Sequence, residues 1–368
     1  MAKDILDAVY GCLVGGAIGD ALGAPLEGLY YTDIREKYGK LKDFIPSYQG
    51  NTGRPRGQPG IPGVVTDDTT LRHYMCYAIV EKGGRITPDD FAKILLEKKM
   101  NLDRLWSNEK ITLMKLQVGM NPWETGRGNP PAGCAVMAIA PIGIINAGDP
   151  SQAFQDALNI ASINQEGVNR DAAATVAAGI AAAFLPGATV DSILETMIDH
   201  STEIVRRAII LTMDLAHVSS SVDEFAKKFY SKMLDWTWPM PPGLKWNKDR
   251  FFSASSVEIV PASMAIIYLC DGDTNQSIID GANFGRDCDT IGSLCGCLAG
   301  AMNGASSIRG DWIRDCEKAN EDLFEELEGD RKANFFSMSK RLVEALENEK
   351  RKALERARML GRILGNYV

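Results

Sequence analysis

The stretch Gly285-Arg286-Asp287-Cys288-Asp289-Thr290 places two carboxylates and a hydroxyl within four residues, at the mouth of an uncharged segment. Thr66-Asp67-Asp68-Thr69 repeats that chemistry far upstream, again at the start of an apolar segment. Each cluster alone reads as a helix N-cap, since Thr and Asp are favoured there. Ligation is compatible with that role, because a helix N-terminus stabilises negative charge and keeps a carboxylate ionised. Brought together by folding, the two clusters would offer oxygen ligands suited to Mg²⁺, Mn²⁺ or Ca²⁺ rather than zinc. Four carboxylates at one point repel severely without cations. Two metal ions sharing a bridging Asp is the natural arrangement.

A third acidic feature lies in Gly15-Gly16-Ala17-Ile18-Gly19-Asp20-Ala21-Leu22-Gly23-Ala24-Pro25-Leu26-Glu27. Asp20 sits inside an apolar helix, and a buried carboxylate needs a partner or a metal. Glu27 follows seven residues later, past Pro25, at a helix exit. The eight cysteines sit mostly among apolar neighbours, contain no Cys-x-x-Cys pair, and stand beside only three histidines. Buried free thiols in a reducing compartment are expected rather than a zinc site. Cys288, between two ligands, should point away and is given no role.

The elements that must position these residues are helices. Leu71, Met75, Ala78 and Ile79 form one face after the first cluster, and Thr87-Pro88 opens another helix. Further helices are expected over 172–184, from Thr189, and over 204–218, with irregular loops at 46–65, 121–133 and 236–250. The fold class is therefore all-α: a compact single-domain orthogonal helical bundle over 1–330 around a central binuclear metal site. Residues 331–368 form a charged amphipathic C-terminal helix that packs on the domain or a partner subunit, allowing a homo-oligomer. Gly11, Gly15, Gly19 and Gly23 recur at four, as do Gly292, Gly296, Gly300 and Gly304. Eight interior glycines would cost roughly 8 kcal/mol relative to alanine. Two smooth stripes that let backbones approach closely would offset that, placing both helices at the centre. Gly23, before Ala24-Pro25, is expected only to end its helix.

The 368 residues carry 40 Lys and Arg against 48 Asp and Glu, a net charge of -8 that argues against nucleic-acid binding. The apolar run 8–19 stops at Asp20, too short for a bilayer, and 291–308 is dense in Gly, Ser and Ala. No membrane partner and no secretory leader are expected, which points to the cytoplasm.

The order and spacing of these motifs resemble the ADP-ribosylglycohydrolase family. The match runs from the Gly-rich Asp20 segment with Glu27, through Thr66-Asp67-Asp68-Thr69, to Gly285-x-Asp287-x-Asp289-Thr290 and its Gly-rich helix. Met137-x-x-Ala140-Pro141-Ile142-Gly143 and Val260-Pro261-Ala262 are weaker matches. The resemblance implies an all-α enzyme with two Mg²⁺ (Mn²⁺ also fitting) held by Thr66, Asp67, Asp68, Asp287, Asp289 and Thr290, with Asp289 bridging. It implies hydrolysis at the anomeric carbon of a ribosyl unit, with Glu27, Asp289 and Asp68 catalytic. The substrate would be an ADP-ribosylated protein or a ribosylated small molecule. Asp20, Gly128, Asn129, Gly133 and Met137 are the expected substrate-side residues, with Asp20 alternatively supporting the metal shell or its helix.

The chain departs from the family where relatives carry Gly-Asn-Gly-(Ser/Ala)-Ala-Met-Arg. It reads Gly128-Asn129-Pro130-Pro131-Ala132-Gly133-Cys134-Ala135-Val136-Met137-Ala138, and Ile163-Asn164-Gln165 replaces a Thr-His pair. That change puts recognition of the ADP half in question and keeps a small-molecule N-ribosyl hydrolase open as an alternative. A non-catalytic binder on the same fold is the alternative of another class. Trp236 to Trp246 could stack a base or merely anchor a loop, and Trp106 and Trp123 are further pocket candidates.

Overall fold

The glycine stripes decide how the centre of the molecule is built. In a computed structural model, which describes residues 4–48, 52–53, 58–98, 100–237, 254–330 and 332–365, every described regular element is helical. Those used below are α1 (Ile5–Gly23), α2 (Asp67–Lys82), α3 (Pro88–Glu97), α4 (Ser107–Gln117), α5 (Cys134–Ala138), α6 (Gly167–Ala183), α7 (Ser256–Leu269), α8 (Cys288–Asn303) and α9 (Phe335–Leu364). The helices α1 and α8 pack against each other along their glycines. A Cβ on Gly11, Gly15 or Gly19 would lie 2.4, 2.5 or 2.0 Å from the carbonyl oxygen of Gly300, Gly296 or Gly292. No side chain fits there, so the helix-propensity cost of these glycines is offset by backbone contact.

Two glycines behave differently from the expected stripe. Gly23 does end α1, but it is also a contact, since a Cβ there would come within 2.5 Å of the Asp289 Cα. The start of α8 is thereby pressed against the end of α1. Gly304 lies past the end of α8 at φ 84° and is its C-cap rather than an interior glycine. Asp20 lies inside α1, fully buried, and the helix runs on to Gly23. The stretch Ile5–Leu26 is long and apolar enough to cross a bilayer, yet most of it is buried inside the protein.

The other elements follow local signals. Thr66 caps α2 and accepts from the Asp68 N–H. Thr87 and Asp90 form a reciprocal capping box on α3, with Pro88 at its first position. The alanine-rich α6 is buried along most of its length and packs against α7 and α8. At the C-terminus, Phe335, Met338, Leu342 and Ala345 bury one face of α9 against α1 and α2, and residues 351–365 are exposed. None of the eight cysteines is in a disulfide.

Candidate metal centre and cleft

The two acidic clusters, more than two hundred residues apart in sequence, meet at the N-terminal ends of α2 and α8. Thr290 joins them: its Oγ1 donates to Asp287 Oδ1 at 3.0 Å and lies 3.4 Å from Asp68 Oδ1. Asp67 and Asp68 stand in the first turn of α2, and Asp287 and Asp289 at the start of α8. Both helix N-termini therefore direct their positive ends at one point. Glu27, one residue beyond the short 3₁₀ turn Ala24–Leu26, closes the group. One ligand atom from each of Glu27, Asp287 and Asp289 lies within 4.8 Å of the others.

Glu27, Asp67, Asp68, Asp287, Asp289 and Thr290 line one cleft of about 360 Å³, together with Trp106, Ala132, Gly133, Cys134, Met137 and Ala254. Its electrostatics are those of crowded anions. Burial, then the Asp289 charge, holds Asp68 and Asp287 well above the usual carboxylate range. Asp67 is raised by burial and then by Glu109. Asp289 is pushed up to about 6 by burial and the Asp20 charge. Half-buried Glu27 is raised by the protein packed around it, then by Asp289 and Asp287. Asp68 Oδ2 and Asp287 Oδ2 are buried without a hydrogen-bond partner among the described residues. Orphaned carboxylate oxygens amid like charge are costly. An all-oxygen donor set of this kind fits hard divalent cations.

Asp20 lies beneath the cleft and is not part of its lining. Its carboxylate accepts from the Thr66 and Thr69 amides, each at 3.1 Å, and from their hydroxyls at 2.9 and 2.6 Å. Asp20 is thus the seat of the α2 N-terminus. Thr66 is fully buried and, like Asp20, is not in the cleft lining; its Oγ1 donates to Asp20 and accepts from the Asp68 amide. Cys288 points to the Gly23 carbonyl, away from the ligands.

A model of the ADP-ribosylglycohydrolase family matches residues 1–351. The chain belongs to the ADP-ribosylglycohydrolase family. Membership supports a glycosidase-type hydrolase function. Among relatives, an uncharacterized protein of Archaeoglobus fulgidus is 27% identical over 308 residues, 82% of this chain and 89% of that one. The uncharacterized protein YegU of Escherichia coli K12 is 24% identical over 316 residues, with the same coverage. A solved structure titled ADP-ribosylglycohydrolase-related protein complex shares the fold at a TM-score of 0.62. It is 20% identical, with 92% of this chain and 99% of that one covered.

The loop that departs from other ADP-ribosylglycohydrolases divides into brace and wall. Gly128 and Asn129 are not in the cleft lining. The Asn129 side chain donates to Thr112 Oγ1 at 3.0 Å and the Asn164 carbonyl at 2.9 Å, and accepts from Lys115 at 2.7 Å. Gln165 holds the same loop through the Ala132 amide and the Pro130 carbonyl. Gly133 and Met137 do line the cleft. Ala138 is buried, and the carbonyl of its neighbour Met137 is held from α2. Arg72 Nε and Nη2 donate to the Met137 carbonyl at 3.2 and 2.9 Å, and Nη2 also meets Ser293 Oγ on α8.

Of the aromatic candidates, Trp106 lines the cleft while Trp123 donates to Asp89 on the surface. Most of the Trp236 to Trp246 stretch, and the Trp236 side chain, lie outside the described residues. Sequence reasoning missed Glu109, Ala132, Cys134 and Ala254. Glu109, in the first turn of α4, is 3% exposed, and neither oxygen meets hydrogen-bond geometry with a donor among the described residues. Burial raises it, opposed by the Cys134 thiol and nearby amides. An acid two residues past Ser107 reads as ordinary first-turn charge, so no sequence signal separated it from a solvated one.

Proposed function

We propose that this chain is a Mg²⁺-dependent hydrolase that cleaves a ribosyl glycosidic bond. The observation that carries the reading is the meeting of Asp68, Asp287 and Thr290 beside Glu27, with carboxylate oxygens left unpaired. Thr66, Asp67, Asp68, Asp287, Asp289 and Thr290 would hold two cations. When bound, the cations supply charge neutralisation and Lewis acidity. Asp20 holds the α2 cluster in place from below. Glu27, at the half-exposed edge, is placed to accept a proton from attacking water and to stabilise positive charge developing at the sugar's anomeric carbon. The walls at Ala132, Gly133, Cys134 and Met137 exclude water from one side, and Trp106 offers a flat apolar face to the group leaving the ribose.

On the family resemblance the substrate is an ADP-ribosylated protein or conjugate: water adds at the anomeric carbon, the bond to the protein or conjugate side chain breaks, and that side chain leaves with a proton while ADP-ribose is released. A small-molecule N-ribosyl substrate is the second reading. It is favoured by the loop that departs from the family pattern: Pro130-Pro131 stiffens it, and Ala138 stands buried in place of an arginine. One panel separates the two: ADP-ribosyl-arginine, ADP-ribosyl-serine, O-acetyl-ADP-ribose and simple ribonucleosides, each with and without Mg²⁺. Cleavage of nucleosides alone would remove the ADP-ribosyl reading. Absence of all turnover, in a protein that purifies without metal and takes none up, would make the chain a binder on this fold.

A further inference from the structure

We propose that the buried Arg286–Glu258 pair is a positioning device that sets Glu27 against Asp287 and Asp289; its catalytic meaning rests on the two-metal reading above. Arg286 stands directly before Asp287 at φ 60°, in the left-handed region that long side chains avoid. Its neighbour Gly285, also at positive φ, has a steric reason to be glycine, because a Cβ would lie 2.7 Å from the Tyr31 nitrogen. Arg286 pays a conformational penalty, and its side chain shows what offsets it. Nε and Nη2 donate to the two oxygens of Glu258 on α7 at 2.6 and 3.1 Å. Both residues are 2% exposed or less. A two-point pair fixes orientation as well as position, and removal of either partner strands a buried charge.

The backbone of the same arginine makes the other half of the device. The Arg286 N–H donates to the Leu29 carbonyl at 2.6 Å, and the Arg286 carbonyl accepts from the Gly28 N–H at 2.8 Å. Glu27 immediately precedes Gly28, and Asp287 immediately follows Arg286. Two of the three clustered carboxylates thus flank a single reciprocal bridge, and the Glu258 pair holds the conformation on which that bridge depends. Gly28 itself is solvent-exposed, so its amide has little protection other than this bond.

Glu258→Gln and the double variant Arg286→Met/Glu258→Leu test the device. The double variant removes both buried charges and fills their space with apolar side chains, yet keeps a residue that disfavours positive φ, so it remains informative if the single variant folds poorly. Two readouts are taken: amide hydrogen exchange at Gly28 in metal-free protein, and Mn²⁺ binding followed by electron paramagnetic resonance. Both variants are expected to accelerate Gly28 exchange about tenfold or more and to weaken Mn²⁺ binding about tenfold with an altered spectrum. Exchange in the α6 core should stay unchanged. Arg286→Lys, which keeps the charge without the fork, should not rescue binding. Gly28 exchange or Mn²⁺ affinity within about twofold of wild type in the double variant overturns the proposal. Wild-type protein that takes up no Mn²⁺ overturns the metal reading instead, and Gly28 exchange alone then decides the clamp.

Discussion

At the residue scale, the site is a set of carboxylates whose charge the fold concentrates instead of dispersing. A carboxyl whose folded pKa lies above its unfolded value binds its proton more tightly in the native state. That stabilising contribution is present at low pH and is lost as pH rises through the folded value, about 6 for Asp289. Metal-free protein therefore loses stability at this site on going from acidic to neutral pH, and a cation restores it. Mg²⁺ should raise the unfolding midpoint by several degrees at about pH 7.5 and by much less at about pH 5. Calorimetric scans at the two pH values check this, and an equal shift at both would contradict a carboxylate-held ion. Asp289→Asn should abolish Mg²⁺-dependent turnover while circular dichroism stays that of the wild type. A turnover assay with added metal decides it, and an active variant would remove Asp289 from the bridging role. Asp20→Asn acts differently, since its carboxylate seats two amides and two hydroxyls of α2. A loss of about 1–3 kcal/mol in denaturant unfolding is expected, with activity lost alongside.

At the scale of elements, close backbone contact between α1 and α8 carries Asp289 and Thr290 of α8, and Asp287 at its cap, into the core. A Cβ on Gly296 would lie 2.0 Å from the Gly15 carbonyl. Gly296→Ala should therefore destabilise by about 1–3 kcal/mol, although alanine is the better helix former. Gly361→Ala, where a Cβ meets nothing within 4 Å, should change stability by less than about 1 kcal/mol. Urea unfolding of the pair measures the difference, and equal effects would show that the contact tolerates a methyl group. The glycine periodicity was legible in the sequence, and so were the caps at Thr66 and Thr87. The double duty of Gly23 was not, because a helix-ending glycine and a close-contact glycine look alike without the partner backbone. Asp20 shows the same limit: its burial was readable from its apolar neighbours, and its four donors from α2 were not.

At the scale of the whole molecule, the long C-terminal helix divides into a packed half and an exposed half. Leu354, Met359, Leu360, Ile363 and Leu364 are all exposed on the second half. Deleting residues 351–368 should leave the unfolding free energy within about 0.5 kcal/mol of the full chain, since residues 351–365 are all exposed. A larger loss in thermal or urea unfolding would show that this half is covered in solution. The sequence alone determined the helical class, the family, and the residue types of the two acidic clusters. These are local or ordered features: periodicity, caps, and motifs whose chemistry does not depend on distance. Only the tertiary structure decided that Thr290 reaches both Asp68 and Asp287, that Asp20 lies under the cleft, and that Gly133 and Met137 face it while Gly128 and Asn129 brace the loop behind. It also revealed Glu109 and the Arg286–Glu258 pair. Those facts depend on which long-range neighbours a side chain meets, and an isolated acid or arginine has the same letter whether it is solvated, paired or left buried.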